Sequence, residues 1–399
     1  MADLNQTPSA NRVHIAFFGK RNAGKSSVVN AVTGQNISIV SDVKGTTTDP
    51  VQKAMELLPL GPVVIIDTPG MDDEGTVGEL RVQRARQVLN KADIAVLVID
   101  GTVGKSAEDL ALQKLIEKKG VPYIIVLNKA DLGGFKVEND NEIAVSAKTG
   151  EHIFELKEKL AAIAAKGQNT KVILGDLLER GDHVVLVTPI DSSAPKGRMI
   201  LPQVQAIRDI LDAGATCSVT QVEELAGVLN GFKTPPKLVV TDSQAFGKVK
   251  QIVPESTKLT SFSILFARYK GVLETAVRGA AAIENLKAGD RILISEGCTH
   301  HRQCGDIGTV KLPAWIRKHT GKDFEFEFTS GGGFPEDLSP YALIVHCGGC
   351  MLNEREMQFR QSSAEEKGVP YTNYGILIAY INGILKRSLA PFDEYASMI

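Results

Sequence analysis

The sequence predicts an α/β fold in three domains: residues 1–168, a small unit over 169–257, and a third domain over 258–399. Three observations carry that expectation. Short apolar runs of four to six residues, rich in β-branched side chains, alternate with helical-period segments, the pattern of βα units. A phosphate-loop motif follows the first such run and opens the first helix. Two later runs each lead into cysteine and histidine. At 399 residues the chain is long enough for two or three cores, and 43% apolar with 23% charged residues is ordinary for a globular protein. Lys and Arg number 45 against 47 Asp and Glu, so no nucleic-acid partner is expected. Five cysteines and a polar start over Met1–Arg12 predict a reducing, cytoplasmic setting. No apolar run reaches the roughly 18 residues of a membrane span. Ile376–Leu385 is the nearest, and Tyr380 and Asn382 interrupt it, so a buried helix is expected there. Neither an internal repeat nor a low-complexity segment is expected.

The first domain is laid out by four motifs, each at the end of a predicted strand. Residues 13–18 read as a buried strand that runs into Gly19-Lys20-Arg21-Asn22-Ala23-Gly24-Lys25-Ser26 and then a helix over Ser26–Thr33. This is the G-x-x-x-x-G-K-[ST] loop in the strand–loop–helix context it needs. Its glycines let backbone N–H groups approach phosphates, Lys25 bridges the β and γ phosphates, and the Ser26 hydroxyl ligates Mg²⁺. Asn22, Ala23, Gly24, Lys25, Ser26 and Ser27 are the candidate nucleotide-binding residues of this segment. Strand Val63–Ile66 ends in Asp67-Thr68-Pro69-Gly70, which places a carboxylate to hold Mg²⁺ through water and the Gly70 N–H beside the γ-phosphate. Strands Ile94–Ile99 and Tyr123–Leu127 follow, the second ending in Asn128-Lys129-Ala130-Asp131. The Asp131 carboxylate can accept hydrogen bonds from both guanine N1–H and N2–H₂, a pair that adenine does not offer. Ser146-Ala147-Lys148 adds a backbone N–H for guanine O6. Together these motifs predict a GTPase, closed by a helix over His152–Ala165 and followed by a polar linker, Lys166–Lys171.

The middle unit reads as strand His183–Thr188, helix Gln203–Ala213, strand Thr216–Val219, helix Gln221–Leu229 and strand Lys237–Thr241. It carries no catalytic constellation, and Cys217 reads as a core residue. Three strands and two helices make a thin core, which favours completion by self-association. The third series runs through Ser263–Phe266, helix Val272–Asn285, strand Arg291–Ser295, Phe324–Phe328, strand Tyr341–Val345, helix Met351–Gln361 and helix Asn373–Lys386. Gly331-Gly332-Gly333 reads as a flexible loop, and Cys304 as a structural thiol. Strand Arg291–Ser295 leads into Cys298-Thr299-His300-His301, and strand Tyr341–Val345 into His346-Cys347-Gly348-Gly349-Cys350. If both strands share a sheet, the three cysteines line its carboxyl edge, and Cys350 opens a helix whose dipole favours a thiolate. Three thiolates with nearby imidazoles point to a soft metal centre, zinc or iron–sulfur. A redox dithiol at Cys347 and Cys350 is the simpler alternative.

The nucleotide motifs resemble those of the TrmE/Era/EngA group of GTPases. Gly45-Thr46-Thr47-Thr48-Asp49 is similar to that group's Gly-Thr-Thr-Arg-Asp switch, which implies Thr47 as Mg²⁺ ligand and γ-phosphate sensor; Thr48 replaces the group's Arg. Met71 stands where Ras-like enzymes carry a water-positioning Gln, which implies slow hydrolysis. Asn22 matches the position that helps bind K⁺ in the group, which implies K⁺ stimulation, with Lys25, Thr47 and Gly70 as the catalytic set.

Over essentially the full length, the order of GTPase, small α/β unit and Cys298-Thr-His300…His346-Cys347-Gly-Gly-Cys350 resembles the HydF family, GTPase scaffolds that mature [FeFe]-hydrogenase. The resemblance implies a P-loop GTPase domain, an α/β dimerisation domain and an α/β iron–sulfur cluster-binding domain, in that order. It implies a [4Fe–4S] cluster on Cys298, Cys347 and Cys350, with His300 and His346 either as weak ligands or as supporting donors. The implied role is that of a carrier, with no catalysis at the cluster. Two radical-SAM maturases would supply a diiron precursor, apo-[FeFe]-hydrogenase would receive it, and the scaffold would be a homodimer. The alternative is a TrmE/Era-like, RNA-related GTPase with a structural zinc or iron–sulfur site, against which the balanced charge stands.

Overall fold

The computed structural model describes residues 8–36, 51–69, 76–133, 137–167, 171–189, 199–297 and 306–396. They fall into two compact units, Met1–Thr170 and Lys171–Ile399. In the first, six strands form one sheet in the order β2-β3-β1-β4-β5-β6. These are β1 (Val13–Gly19), β2 (Val51–Leu57), β3 (Gly61–Asp67), β4 (Ile94–Asp100), β5 (Tyr123–Asn128) and β6 (Glu142–Val145). All neighbours run parallel except β2, which pairs antiparallel with β3. The strands at the centre are apolar along most of their length because both faces are covered, with His14 a buried polar exception in β1. Ile15 and Phe17 face helices Lys25–Thr33 and Ile153–Gly167, while Ala16 and Phe18 face Thr76–Leu89 and Ala107–Lys118. Fully burying a side chain as large as Ile15, Phe17 or Phe18 stabilises by about 1.5–3 kcal/mol. Helix Ala107–Lys118 starts at a capping box, in which the Asp109 N–H donates to Ser106 Oγ and the Ser106 N–H donates to the Asp109 carboxylate.

The second unit holds two four-stranded sheets. One contains β7 (His183–Val187), β8 (Thr216–Thr220), β9 (Leu238–Thr241) and β10 (Lys258–Ser261), in the order β10-β9-β7-β8. The other contains β11 (Arg291–Glu296), β12 (Glu325–Ser330), β13 (Leu343–His346) and β14 (Tyr371–Asn373), in the order β12-β11-β13-β14. Every pairing in both is parallel. The two sheets therefore have the same topology, and one continuous apolar core runs through them.

That identity of topology overturns the expectation of no internal repeat. Thr260, Ile264, Leu265, Ala267, Gly271 and Leu273 recur in the same spacing as Thr372, Ile376, Leu377, Ala379, Gly383 and Leu385. Both copies run from the last strand of a sheet into an apolar helix capped by a polar side chain. Ser261 Oγ accepts from the Ile264 N–H, and Asn373 Oδ1 from the Ile376 N–H. The repeat is hard to see in the sequence because the positions between the six identities diverge as far as Arg268 against Tyr380 and Lys270 against Asn382.

Four further expectations differ from the fold. Lys258–Ser261 pairs with β9 and completes the first of these sheets instead of opening the next series. Ser263–Phe266 lies inside helix Phe262–Tyr269, since a short run that is apolar on every side has no periodicity to tell strand from helix. Helix Gln221–Leu229 is confined to Leu225–Asn230. Asn373–Lys386 splits at Gly383 (φ +64°) into Tyr374–Ile381 and Leu385–Leu389. Among the described residues no helix is long and apolar enough to cross a membrane.

Candidate functional site

The carboxyl ends of β1, β3 and β5, and the turn after β6, bring the nucleotide motifs to one edge of the first sheet. Gly24 is left-handed (φ +83°), and a Cβ there would meet Asn128 Nδ2 at 2.2 Å. Glycine is therefore required for the phosphate loop to lie against β5. Asn128, only 3% exposed, ties two segments together: its Nδ2 donates to Ala23 O (3.0 Å), and its Oδ1 accepts from the Ala147 N–H (3.1 Å). Lys25 and Asp67 are both buried and form an ion pair, with Ser26 Oγ 3.4 Å from the same carboxylate. Ser26 and Asp67 are hard oxygen donors that suit Mg²⁺. Asn22 is exposed and left-handed (φ +64°), and Ser27 lies in the first turn of the helix behind the loop.

At the ends of β5 and β6, Ser146 Oγ donates to Asp131 Oδ1 (2.7 Å) and accepts from the Thr149 N–H (3.1 Å). This holds the exposed carboxylate beside the Ser146–Lys148 turn, where Lys148 is exposed. Lys129, left-handed at φ +73°, pairs with Asp100 Oδ2 at the end of β4. Glu142, at the start of β6, accepts from Lys105 Nζ (2.6 Å), the Glu138 N–H (3.0 Å) and Asn139 Nδ2 (2.9 Å). Burial would raise its carboxyl, but these partners hold it down at about 2. Thr47 and Gly70, together with the rest of the switch segment and Met71, lie outside the described residues.

In the second unit β11 and β13 are adjacent and parallel, so the chain leaves both at the same carboxyl edge, the geometry anticipated for the split cysteine motif. Cys298, His300 and Cys304 lie outside the described residues; Cys347 and Cys350 are half-buried. Among the described residues no three His, Cys, Asp or Glu side chains gather as a metal-binding group. Cys347 Sγ accepts from two backbone N–H groups, Gly297 (3.1 Å) and Gly349 (3.3 Å). Cys350 does not open a helix. The helix begins at Glu354, because Asn353 caps it by accepting the Glu356 N–H, and Leu352 packs in the core before it. Gly349 is left-handed (φ +62°), and a Cβ there would meet Met357 Sδ at 2.3 Å, whereas Gly348 has open space.

His346 is fully buried, and both of its ring nitrogens face protein atoms: Nδ1 lies 2.7 Å from Cys347 O, and Nε2 lies 3.0 Å from Arg360 Nη1. A carbonyl can only accept and a guanidinium can only donate, so the ring is the neutral Nδ1–H tautomer. Burial, then Arg360, push its pKa down to about 3. Arg360, 1% exposed, also donates to Gly331 O (2.6 Å), Glu356 (2.6 Å) and Ser295 Oγ (3.4 Å). It thereby ties the ends of β11, β12 and β13 together, including the Gly331–Gly333 turn expected to be flexible. Lys270, 5% exposed, donates to the carbonyls of Gly349 and Leu352 (2.8 Å to the latter). Burial pushes its ammonium down to about 8, against the opposing pull of Cys350 and Cys347. A sulfur accepting two N–H groups beside a buried cation fits an anionic sulfur-ligated centre.

Lys270 and Arg360 were not anticipated. The only sequence signal for Lys270 is a lysine just after a mostly apolar helix that already carries Arg268; Arg360 has none, since its helix is largely polar. Cys217 is half-buried on β8 and packs against the core, and burial raises its thiol.

Three families match this chain: 50S ribosome-binding GTPase over residues 14–129, hydrogen maturase F dimerization domain over 173–271, and hydrogen maturase F tetramerization domain over 274–391. GTPase Der of Kosmotoga olearia is 34% identical over 186 residues, 42% of this chain and 42% of that protein. The tRNA modification GTPase MnmE of Endomicrobium trichonymphae is 33% identical over 167 residues, 39% of this chain and 36% of that protein. The chain thus spans well under half the length of these curated relatives. Era of Aquifex aeolicus aligns at 21% identity and a TM-score of 0.35, over 52% of this chain and 93% of that one. The first unit is a GTPase domain, and with both hydrogen maturase F domains following it in order, the chain belongs to the HydF family.

Proposed function

We propose that this protein is a GTP-hydrolysing scaffold of [FeFe]-hydrogenase maturation, which holds a [4Fe–4S] cluster and carries a diiron precursor to the apo-hydrogenase. In this reading the phosphate loop binds GTP, with Lys25 neutralising the β and γ phosphates and Ser26, Thr47 and Asp67 serving Mg²⁺. Asp131 reads guanine. The Ala147 N–H is already donated to Asn128, which leaves the Lys148 N–H as the donor for guanine O6. Gly70 senses the γ-phosphate, and Asn22 serves K⁺.

Cys298, Cys347 and Cys350 would hold the cluster. When bound, it supplies an iron with no thiolate ligand, to which cargo can attach. His346 acts in support: it orients the Cys347 carbonyl through Nδ1–H and is itself oriented by Arg360. His300 is the remaining candidate for a weak ligand. The segments over 169–257 and 258–399 serve self-association and cluster binding, the first as the seat of a homodimer. The names of the two matched domains support oligomerisation. Two radical-SAM maturases are the proposed donors of the precursor.

The observation that carries the reading is Cys347 Sγ accepting two backbone N–H groups beside buried Lys270, in a chain that also carries the GTPase motifs. Anaerobic purification tests it. Iron and sulfide in near-stoichiometric amounts, with colour bleached by dithionite, are expected; a colourless protein with one zinc per chain would refute the cluster.

A further inference from the structure

We propose that Lys270 is the counter-cation of the cysteine loop: it orders Gly349–Leu352 through two carbonyl hydrogen bonds, and its charge raises the reduction potential of the metal centre held there. A buried ammonium costs several kcal/mol unless negative charge lies nearby. Among the described residues no carboxylate pairs with Lys270; its Nζ contacts are the carbonyls of Gly349 and Leu352. The other buried cation at this edge, Arg360, is neutralised by Glu356. Glu354 and Glu356 act on Lys270 without forming an ion pair with it, and the groups that pull on it most strongly are Cys350 and Cys347, in the loop it grips.

The internal repeat supplies an independent argument. Lys270 closes helix Phe262–Tyr269 just before left-handed Gly271, and Asn382 closes helix Tyr374–Ile381 just before left-handed Gly383. In that second copy a neutral side chain ends the helix, its Nδ2 donating to Ile378 O. The fold does not need a cation at this position; the cysteine loop supplies the reason for one. A positive charge in a dry site stabilises whichever form of the centre carries the additional electron, so it moves the potential upward.

The inference rests on the iron–sulfur reading, and full-length protein tests the two separately. Iron, sulfide and zinc are assayed first in the wild type, then midpoint potentials are measured by anaerobic titration of wild type, Lys270→Gln and Lys270→Arg. Gln keeps a donor without the charge. At the wild-type midpoint, the reduced fraction of Lys270→Gln is expected to fall from one half to about one tenth or less, with Lys270→Arg recovering most of the loss. A Gln variant that holds the cluster at an unshifted midpoint overturns the proposal. A folded Gln variant that loses iron supports it if Arg restores binding, and overturns it if Arg does not. If the metal is zinc, the cluster reading fails and the charge is read instead by chelator competition. At least tenfold weaker zinc binding in Lys270→Gln, restored in Lys270→Arg, then supports the role, and equal affinities refute it. GTP hydrolysis is expected to be unchanged in both variants.

Discussion

Replacing Arg360 with Met keeps the stem of the side chain and deletes its guanidinium. That group is 1% exposed and lies 5.2 Å from the centre of the Phe334 ring. Its loss strips partners from Gly331 O, His346 Nε2 and Ser295 Oγ, and leaves Glu356 unpaired. Each buried polar group left unpaired costs about 1–3 kcal/mol, and breaking a buried charge pair costs about 3–5 kcal/mol. These overlap. Glu356, 17% exposed, regains some water, so a net loss of about 3–5 kcal/mol is expected. Trp315 is the only tryptophan and lies in helix Leu312–Thr320 of the second unit, so its fluorescence during urea unfolding reports that unit alone. Glu356→Gln should cost less, and the double variant should fall short of the sum because the two side chains share one interaction. An Arg360→Met transition within about 1 kcal/mol of wild type would refute the network as a structural tie.

Three further outcomes are expected. Gly349→Ala should disrupt the cysteine loop and lower bound metal at least severalfold, because it strains a left-handed residue against Met357; Gly348→Ala should leave metal content near wild type. Asn128→Ala removes two buried hydrogen bonds and should weaken guanine nucleotide binding about 30- to 100-fold, measured by calorimetry, with Trp315-monitored stability unchanged. Glu142 has a folded pKa of about 2, below its ordinary 4.5, so the unfolded chain binds more protons between those values. Its contribution, at most about 3 kcal/mol, is complete above the unfolded value and is lost as pH falls toward the folded one. Hydrogen exchange of β6 peptides should show protection dropping across that window in wild type, and a smaller drop in Glu142→Gln.

How far the sequence could be read follows from where each signal lies. The nucleotide motifs were legible because each is a short segment fixed to the end of a strand buried on both faces, as with Asn128 at the end of β5. β2 and β14 were not anticipated, and β6 only as a strand end ahead of Ser146, without bounds. β2 is a mostly exposed edge strand in which Lys53 and Ala54 break the alternation of Val51, Met55 and Leu57, and β6 and β14 are too short to show a period. At the cysteine edge, composition identified Cys347 and Cys350, but not the groups that hold them. Lys270 reaches Gly349 and Leu352 from far along the chain, and Arg360 joins three strand ends from a helix whose pattern is solvent-like. Long-range contacts by single polar side chains leave no local pattern.

The repeat explains why only one of the two sheets carries cysteines at this edge. After β9 the chain turns at once: Asp242 accepts the Gln244 N–H, Ser243–Ala245 forms a single 3₁₀ turn, and helix Phe246–Ile252 follows directly. That corner is closed by its own short-range hydrogen bond. After β13 the equivalent corner opens into the longer Cys347–Asn353 segment before the helix begins at Glu354. Such a segment leaves carbonyls without helical partners, and Lys270 takes those of Gly349 and Leu352. The donor comes from the end of the first copy and the loop from the second. The cysteine edge is thus completed across the two halves of the second unit, and a change at the end of helix Phe262–Tyr269 should be felt at Cys347 and Cys350 before it is felt in either sheet.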